Sequence, residues 1–342
     1  MTALGLGIVG LGMALPPHAR ALADLRDQIH VVAAWSPSAE RRQAAAAAYA
    51  LPEAASLDAL LADPAVEAIL VLTPPHVHAE LAERAFAAGK HVLVEKPLDV
   101  SLERAAAMVA QAAAAGSILG VVLQHRYREA TRTLQAMLRA GELGTIQAAS
   151  CTVPWWRDQA YYDAPGRGTR ARDGGGVLMT QAIHALDVFR ALTGGVARVA
   201  ASARTTALHR MECEDHVAAT MTLTGGGIAS LVASTATFPG YPEEIRLIGT
   251  RGVATLSGGA LHIAGLDGQS FELAVAAPSG GGAEPMAFSH EAHRALLLDF
   301  AQAVRAHRNP LVDGVEALRT QRLIEAILAA AASGAWQDVP PD

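Results

Sequence analysis

The chain has 342 residues, 51% of them hydrophobic and 18% charged, with a formal net charge of −6. This length and balance fit two folded domains and exclude a disordered chain. Asp and Glu outnumber Lys and Arg by 33 to 27, which argues against a phosphate-backbone binder, and no apolar run reaches the ~18 residues that span a bilayer.

The apolar start, Met1 to Leu15, carries four glycines and no positive charge, so it reads as a first strand entering a turn and not as a signal peptide. Cys151 and Cys213 lack CxxC spacing and read as reduced structural thiols, in keeping with a cytoplasmic protein. Leu6–Val9 is a short apolar run followed by a helical stretch over Pro16–Arg26. Val31–Trp35 is a second run, and a helix over Ser38–Tyr49 has Ser36 or Ser38 available as its cap. Strands at Ala68–Leu72, His91–Val94 and Ile118–Leu123 alternate with helices at His76–Ala88 and Ser101–Ala115. Continuous apolar strands separated by helices predict a doubly wound α/β domain, a parallel sheet covered on both faces, over residues 1–123.

The pattern then changes. A helix over Ala130–Ala140 and a strand at Ile146–Val153 lead into a Trp-, Tyr-, Arg- and Gly-rich loop over Pro154–Gly176, followed by a helix over Val177–Thr193. From Val196 to Phe271 short strands are joined by glycine-rich turns, which predicts a mostly antiparallel sheet. Ser279–Gly282 reads as a flexible loop, and two helices follow at Ser289–His307 and Gly314–Ala332. Residues 124–342 are thus expected to form an α+β domain for substrate binding and oligomerisation.

Two glycine registers fit a phosphate-binding turn. Gly5, Gly7 and Gly10 spell GxGxxG but lie inside the apolar strand. In the better register Gly10 turns the chain and Gly12, beside Met13, lets backbone N–H groups approach a pyrophosphate at a helix N-terminus. Leu15 at the third small position departs from the motif. The second strand ends at Trp35-Ser36-Pro37-Ser38 with Arg41 and Arg42 beyond and no carboxylate at hand, so NADP is favoured over NAD. The competing reading makes both arginines a solvated helix face.

The stretch Ala88-Gly89-Lys90-His91-Val92-Leu93-Val94-Glu95-Lys96-Pro97-Leu98 resembles the signature of the glucose-fructose oxidoreductase/inositol dehydrogenase/rhizopine catabolism family, Gfo/Idh/MocA. Gly7-Ile8-Val9-Gly10-Leu11-Gly12, Thr73-Pro74-Pro75-His76-Val77-His78 and Gly174-Gly175-Gly176-Val177-Leu178 match it in the same order, across about the first 195 residues. The resemblance implies a nicotinamide-dependent oxidoreductase acting on a hydroxyl or carbonyl carbon of a sugar, sugar acid or polyol. It implies a cis peptide before Pro97, with Lys96 polarising the reacting oxygen and His184 as acid/base. It also puts Thr73, Pro74, His78, Glu95 and Lys96 on the cofactor and Gln124 and Arg126 beside the substrate. A lysine at a strand's carboxyl end lies on the ligand-binding edge of such a sheet, and Pro97 stops the strand there.

On a regular helix Thr180, His184 and Asp187 share one face, with Gln181 one turn from His184. Many polyol dehydrogenases of the family have Asp where this chain has Thr180, and the pair Thr180-Gln181 resembles members that oxidise nucleotide sugars. Trp156, Arg157, Tyr162 and Arg167 lie in the aromatic and arginine-rich loop and are expected to cover the substrate, an acidic sugar or a polyol. Subunit contacts are the competing use of that loop. No metal site is expected, because His76, His78 and His91 have no Cys or carboxylate at ligand spacing; His290 and His293 read as surface or packing residues. A NAD-dependent glycosidase or dehydratase and a nonenzymatic nucleotide sensor are the alternatives; the second domain's sheet is expected to leave one face open, and the resemblance implies that this face joins a homodimer or homotetramer.

Overall fold

The computed structural model describes residues 2–274 and 289–340, so the loop expected at 279–282 lies outside the described residues. Two compact units are present: Met1–Gln124 with His290–Leu318, and His125–Ser289 with Arg319–Asp342.

In the first unit, β1 (Leu4–Val9), α1 (Leu15–Asp24), β2 (Ile29–Trp35), α2 (Ala39–Tyr49), α3 (Leu57–Ala62), β3 (Ala68–Val71), α4 (His78–Ala87), β4 (His91–Glu95), α5 (Leu102–Ala114) and β5 (Leu119–Val122) follow in order. The strands form one parallel sheet in the order β2-β1-β3-β4-β5. Every residue of β1, β3 and β5 is buried, as a sheet covered on both faces requires. Each fully buried Leu or Ile contributes roughly 2 kcal/mol. Helix α3 was not anticipated; Ser56 caps it through Oγ, 3.0 Å from the Ala59 N–H, and its Leu57, Leu60 and Leu61 are buried.

The second unit holds α6 (Glu129–Arg139), β6 (Ile146–Pro154), α7 (Gln159–Asp163), α8 (Arg170–Asp173) and α9 (Ile183–Thr193). Strands β7 (Val196–Arg204), β8 (His216–Leu223), β9 (Ile228–Ser234), β10 (Glu244–Gly249), β11 (Gly252–Ser257), β12 (Ala260–Gly265) and β13 (Ser270–Leu273) follow, and β14 (Gln337–Asp338) comes last in the chain. The sheet order is β13-β12-β11-β10-β6-β9-β8-β7-β14, antiparallel throughout except where β6 pairs with β9. Helices α6 and α9 pack on one face. The other presents the alternate residues of the central strands, including Ala218, Thr220, Ser230 and Val232.

The chain returns to the first unit with α10 (Glu291–Ala306), where the expected boundary at residue 123 would have kept it in the second. Three features hold it there. Helix α10 packs on α1 and β5, with Phe300 against the bare Cα of Gly120. Arg305 pairs with Glu67 through Nη1–Oε1 at 2.5 Å and Nη2–Oε2 at 2.7 Å, and the Val121 N–H donates to the Val312 carbonyl at 3.1 Å. The unit boundary falls inside the last helix, α11 (Gly314–Ser333). No helix among the described residues is long and apolar enough to cross a membrane.

Candidate active site

The turn after β1 follows the Gly10/Gly12 register. Gly10 has φ +99°, and a Cβ there would lie 2.7 Å from the Leu72 carbonyl carbon, so the position demands glycine. At Gly12 a Cβ would meet, among the described residues beyond its chain neighbours, Arg41 Nη1 at 3.7 Å. Bare backbone thus meets the N-terminus of α1, an arrangement that fits a dinucleotide pyrophosphate, with Arg41 at its border. Met13 stands exposed next to it.

The two arginines beyond β2 differ. Arg42 pairs with Glu53 and donates from Nη1 to the Ser36 carbonyl at 2.7 Å. The carboxylate thought absent from this strand end is therefore Glu53, brought in because residue 53 bridges to Ala34 of β2. It was illegible because it reaches β2 from beyond α2. Ser36 is buried, and Ser38 caps α2 by accepting from the Arg41 N–H at 3.3 Å.

At the carboxyl end of β4 the Lys96–Pro97 peptide is cis. The Lys96 N–H donates to Glu95 Oε2 at 3.2 Å, and His18 of α1 meets Glu95 Oε1 at 2.9 Å through Nε2. The imidazole of His293 crosses that of His18 edge-on at 4.9 Å. One atom of each of His18, Glu95 and His293 lies within 4.8 Å of the others, a set of donor types that also suits a metal, although His18 and Glu95 already bond each other. Glu95 thus braces the lysine segment.

His78 departs from the cofactor contact expected of it. Its side chain is fully buried, with Nδ1 2.9 Å from the Pro97 carbonyl and Nε2 2.8 Å from the Thr73 carbonyl. It ties the end of β3 to the Lys96 segment, and burial, outweighing the two carbonyls, holds its pKa below the ordinary histidine value. Pro74 is exposed at this edge, and the Thr73 hydroxyl is buried with no hydrogen-bond partner among the described residues. Gln124 ends the first segment of this unit and is buried.

In the second unit Gly176 lies so close to the Glu214 carbonyl that no side chain fits. The Glu214 carboxylate accepts from the N–H groups of Gly176 and Leu178, each at 3.2 Å, and its burial raises its pKa. A capped start of this kind suits a carboxylate. Residues Leu178–Ala182 then form a π turn before α9. The regular helix expected over Val177–Thr193 is therefore interrupted, and the single stripe of Thr180, His184 and Asp187 is broken by the extra residue of the turn. Such turns are common at functional positions.

His184 is buried, its ring stacked on His125 at 4.7 Å and 27°. Asp187 is fully buried and accepts from Arg126 Nη1 at 3.3 Å and the Thr320 hydroxyl at 2.9 Å, with Arg190 at 3.8 Å. Arg126, expected beside the substrate, is thus spent on Asp187; its spacing from that residue gave no hint of the pairing. Gln181 is fixed at both ends: Oε1 meets the Thr180 hydroxyl, and Nε2 donates to the Tyr161 hydroxyl at 3.2 Å.

The aromatic loop is more structured than expected. Arg167 Nη1 donates to the Tyr161 hydroxyl at 2.6 Å, and its guanidinium lies 4.3 Å from that ring's centroid. Arg157 is buried and donates from Nη1 to the Trp156 carbonyl at 2.6 Å, and burial lowers its pKa. Tyr162, also expected on the substrate, is a buried wall residue whose hydroxyl bonds Thr235 Oγ1 at 2.7 Å; burial pushes its pKa up. Trp156 packs on His209 and Phe238.

The structure therefore gathers Gly10, Gly12, Arg41 and the Lys96 segment in one unit, and Tyr161, Arg167, Thr180, Gln181 and His184 in the other. Tyr161, His125, Arg128, Glu214 and Glu243 were not among the expected site residues. Tyr161 belongs to the aromatic loop and His125 lies between Gln124 and Arg126, whereas Arg128, Glu214 and Glu243 carry no local pattern.

Comparison with known proteins agrees. Residues 4–123 match a family described as "Oxidoreductase family, NAD-binding Rossmann fold", and residues 131–255 match the Gfo/Idh/MocA C-terminal domain. The WlbA dehydrogenase from Bordetella pertussis, solved with NADH and UDP-GlcNAcA, is 29% identical with a TM-score of 0.85, covering 99% of this chain and 100% of that one. A 1,5-anhydro-D-fructose reductase of Ensifer adhaerens is 28% identical over 89% of each chain. A 1-carboxy-3-chloro-3,4-dihydroxycyclohexa-1,5-diene dehydrogenase of Comamonas testosteroni is 35% identical over 56% of this chain, an alignment that spans 47% of that protein. With both units matched in order, the chain belongs to the Gfo/Idh/MocA family of oxidoreductases, its first unit an NAD-binding Rossmann fold.

Proposed function

We propose that the protein is a dehydrogenase or reductase that moves hydride between a nicotinamide dinucleotide and the CH–OH carbon of an acidic sugar or polyol. The observation that carries this is Lys96 at the carboxyl end of β4, on the same edge of the parallel sheet as the Gly10–Gly12 turn. A bound nicotinamide supplies the hydride donor or acceptor. Lys96 polarises the substrate oxygen and stabilises its developing negative charge, and His184 exchanges the hydroxyl proton. Arg167 and Tyr161 take an anionic group of the substrate, with Gln181 and Thr180 fixing Tyr161 from the π turn. Trp156 and Arg157 form the wall behind them. Two relatives favour an acid: the Comamonas enzyme's name carries a carboxy group, and UDP-GlcNAcA is the ligand of the Bordetella structure.

A screen of sugar acids, nucleotide sugars and inositols for net NAD(P)H formation tests this reading. Turnover of such a substrate with no net cofactor change would instead mark a glycosidase or dehydratase, and cofactor binding without any turnover a sensor.

NADP is the proposed partner because Arg41 stands by Gly12 while Arg42 neutralises Glu53, leaving a guanidinium for a 2′-phosphate. Arg41→Ala should weaken NADPH binding about tenfold and leave NADH unchanged; a wild-type preference for NADH in the same titration overturns the assignment. The exposed sheet face, rich in Ala, Ser and Thr, is proposed to join copies of the chain as a cytoplasmic dimer or tetramer. Light scattering that finds a monomer would refute this.

A further inference from the structure

Four residues before His184 stands Thr180, whose hydroxyl is engaged by Gly176 and Gln181. Asp187 is committed to Arg126 and Thr320. The side chain that meets the His184 ring face to face is His125, and it is itself held on its far side.

Arg128 Nη2 lies 2.7 Å from His125 Nε2. A guanidinium only donates, so Nε2 is the acceptor and the proton of neutral His125 resides on Nδ1. Arg128 is fixed in turn by Glu243, Nη1 to Oε1 at 2.6 Å. Glu243 and His125 are both buried, which makes this a charge-assisted chain with little competition from water. His125, Arg128 and Glu243 line one cavity of about 20 Å³ together with Ala185 and Val188 of α9 and Ile245 and Leu256 of the sheet. The other Glu243 oxygen is buried with no hydrogen-bond partner among the described residues, so Arg128 is its main neutralising contact.

We propose that the Glu243–Arg128–His125 chain is the device that orients His184. His125 acts by stacking and Arg128 by fixing the tautomer and plane of His125; neither is a catalytic residue. His125 stacks on His184, Arg128 and Glu243 stand behind His125, and the charged groups on the adjoining turn and on the helix of His184 are Arg126, Asp187 and Arg190, which pair with one another. The Arg128 guanidinium touches His125 directly, whereas Glu243 is bound to its other terminal nitrogen. The group in contact with His125 Nε2 is therefore a cation, which leaves His125 in its neutral, Nδ1-protonated form.

The inference rests on His184 being the acid/base, and the experiment separates the two claims. The pH dependence of kcat/KM for oxidation is measured for the wild type, His184→Ala, Arg128→Gln and Arg128→Lys, with NAD(P)H affinity and Tm as controls. Removing the nearby positive charge should move the acid limb of Arg128→Gln up by about one pH unit, with kcat about tenfold lower at neutral pH and KM within about twofold. Arg128→Lys, which keeps the charge but loses the planar fork, should hold the limb in place and recover part of kcat. An unmoved limb and unchanged kcat in Arg128→Gln, with His184→Ala inactive, overturn the positioning role and leave the base intact. Full turnover in His184→Ala removes the base reading and the inference together. Should Arg128→Gln fail to fold, an Arg128→Lys enzyme indistinguishable from wild type overturns the proposal.

Discussion

The Lys96 and His184 regions are built in different ways. Around Lys96 the backbone does most of the positioning: a strand ends at Glu95, a proline follows, glycine forms the neighbouring turn, and His78 holds two main-chain carbonyls. Around His184 side chains do it: Arg126, Asp187 and Thr320 form one buried network and His125, Arg128 and Glu243 another, on a helix entered through a π turn. A site made of backbone tolerates side-chain change outside its few special positions. A site made of buried polar side chains depends on every member, because removing one leaves its partners desolvated and unpaired.

The contrast is tested most severely at Asp187. Truncation to Ala leaves buried Arg126 without its carboxylate, and denaturant unfolding should show a loss of about 3–5 kcal/mol. A loss below about 1 kcal/mol would mean that the network is ornamental. Arg167→Ala comes next, and it removes a half-exposed guanidinium. KM for an acidic substrate should rise about tenfold while a neutral analogue is little affected; equal changes for both would assign Arg167 to folding alone.

His78 gives the smallest effect and a sign that can be checked. Burial lowers its folded-state pKa below the ordinary histidine value of 6.5. The stability it contributes is therefore present above pH ~6.5 and lost as the pH falls through that value toward the lower folded one. Wild-type Tm should drop between pH 7 and pH 5. His78→Gln, less stable at pH 7, should drop less over the same interval, by roughly 2–4 °C. An identical drop in both proteins would place the acid sensitivity elsewhere.

The same division explains what could be read from the sequence. Gly10, Gly12, the strand order of the first unit and the Lys96–Pro97 corner were legible because each is a local pattern with a backbone cause. Strands β6 to β12 were legible for the same reason, through alternation and glycine turns. Glu53 at the end of β2, α10 in the first unit and the Arg128–Glu243 pair were not, since each depends on residues distant in sequence meeting in space. The π turn was hidden because Leu178–Ala182 carries the same residue types as a regular helix. Arg126 and Tyr162 were expected on substrate because exposed and buried arginines or tyrosines look alike in sequence.

The most direct test of the account is hydride transfer in Lys96→Ala, followed in a single turnover with the cofactor already bound. Lys96 should lower the rate by about three orders of magnitude when removed, with the cofactor dissociation constant within about threefold of wild type. Hydride transfer at the wild-type rate in that variant would contradict the role given to the lysine at the end of β4.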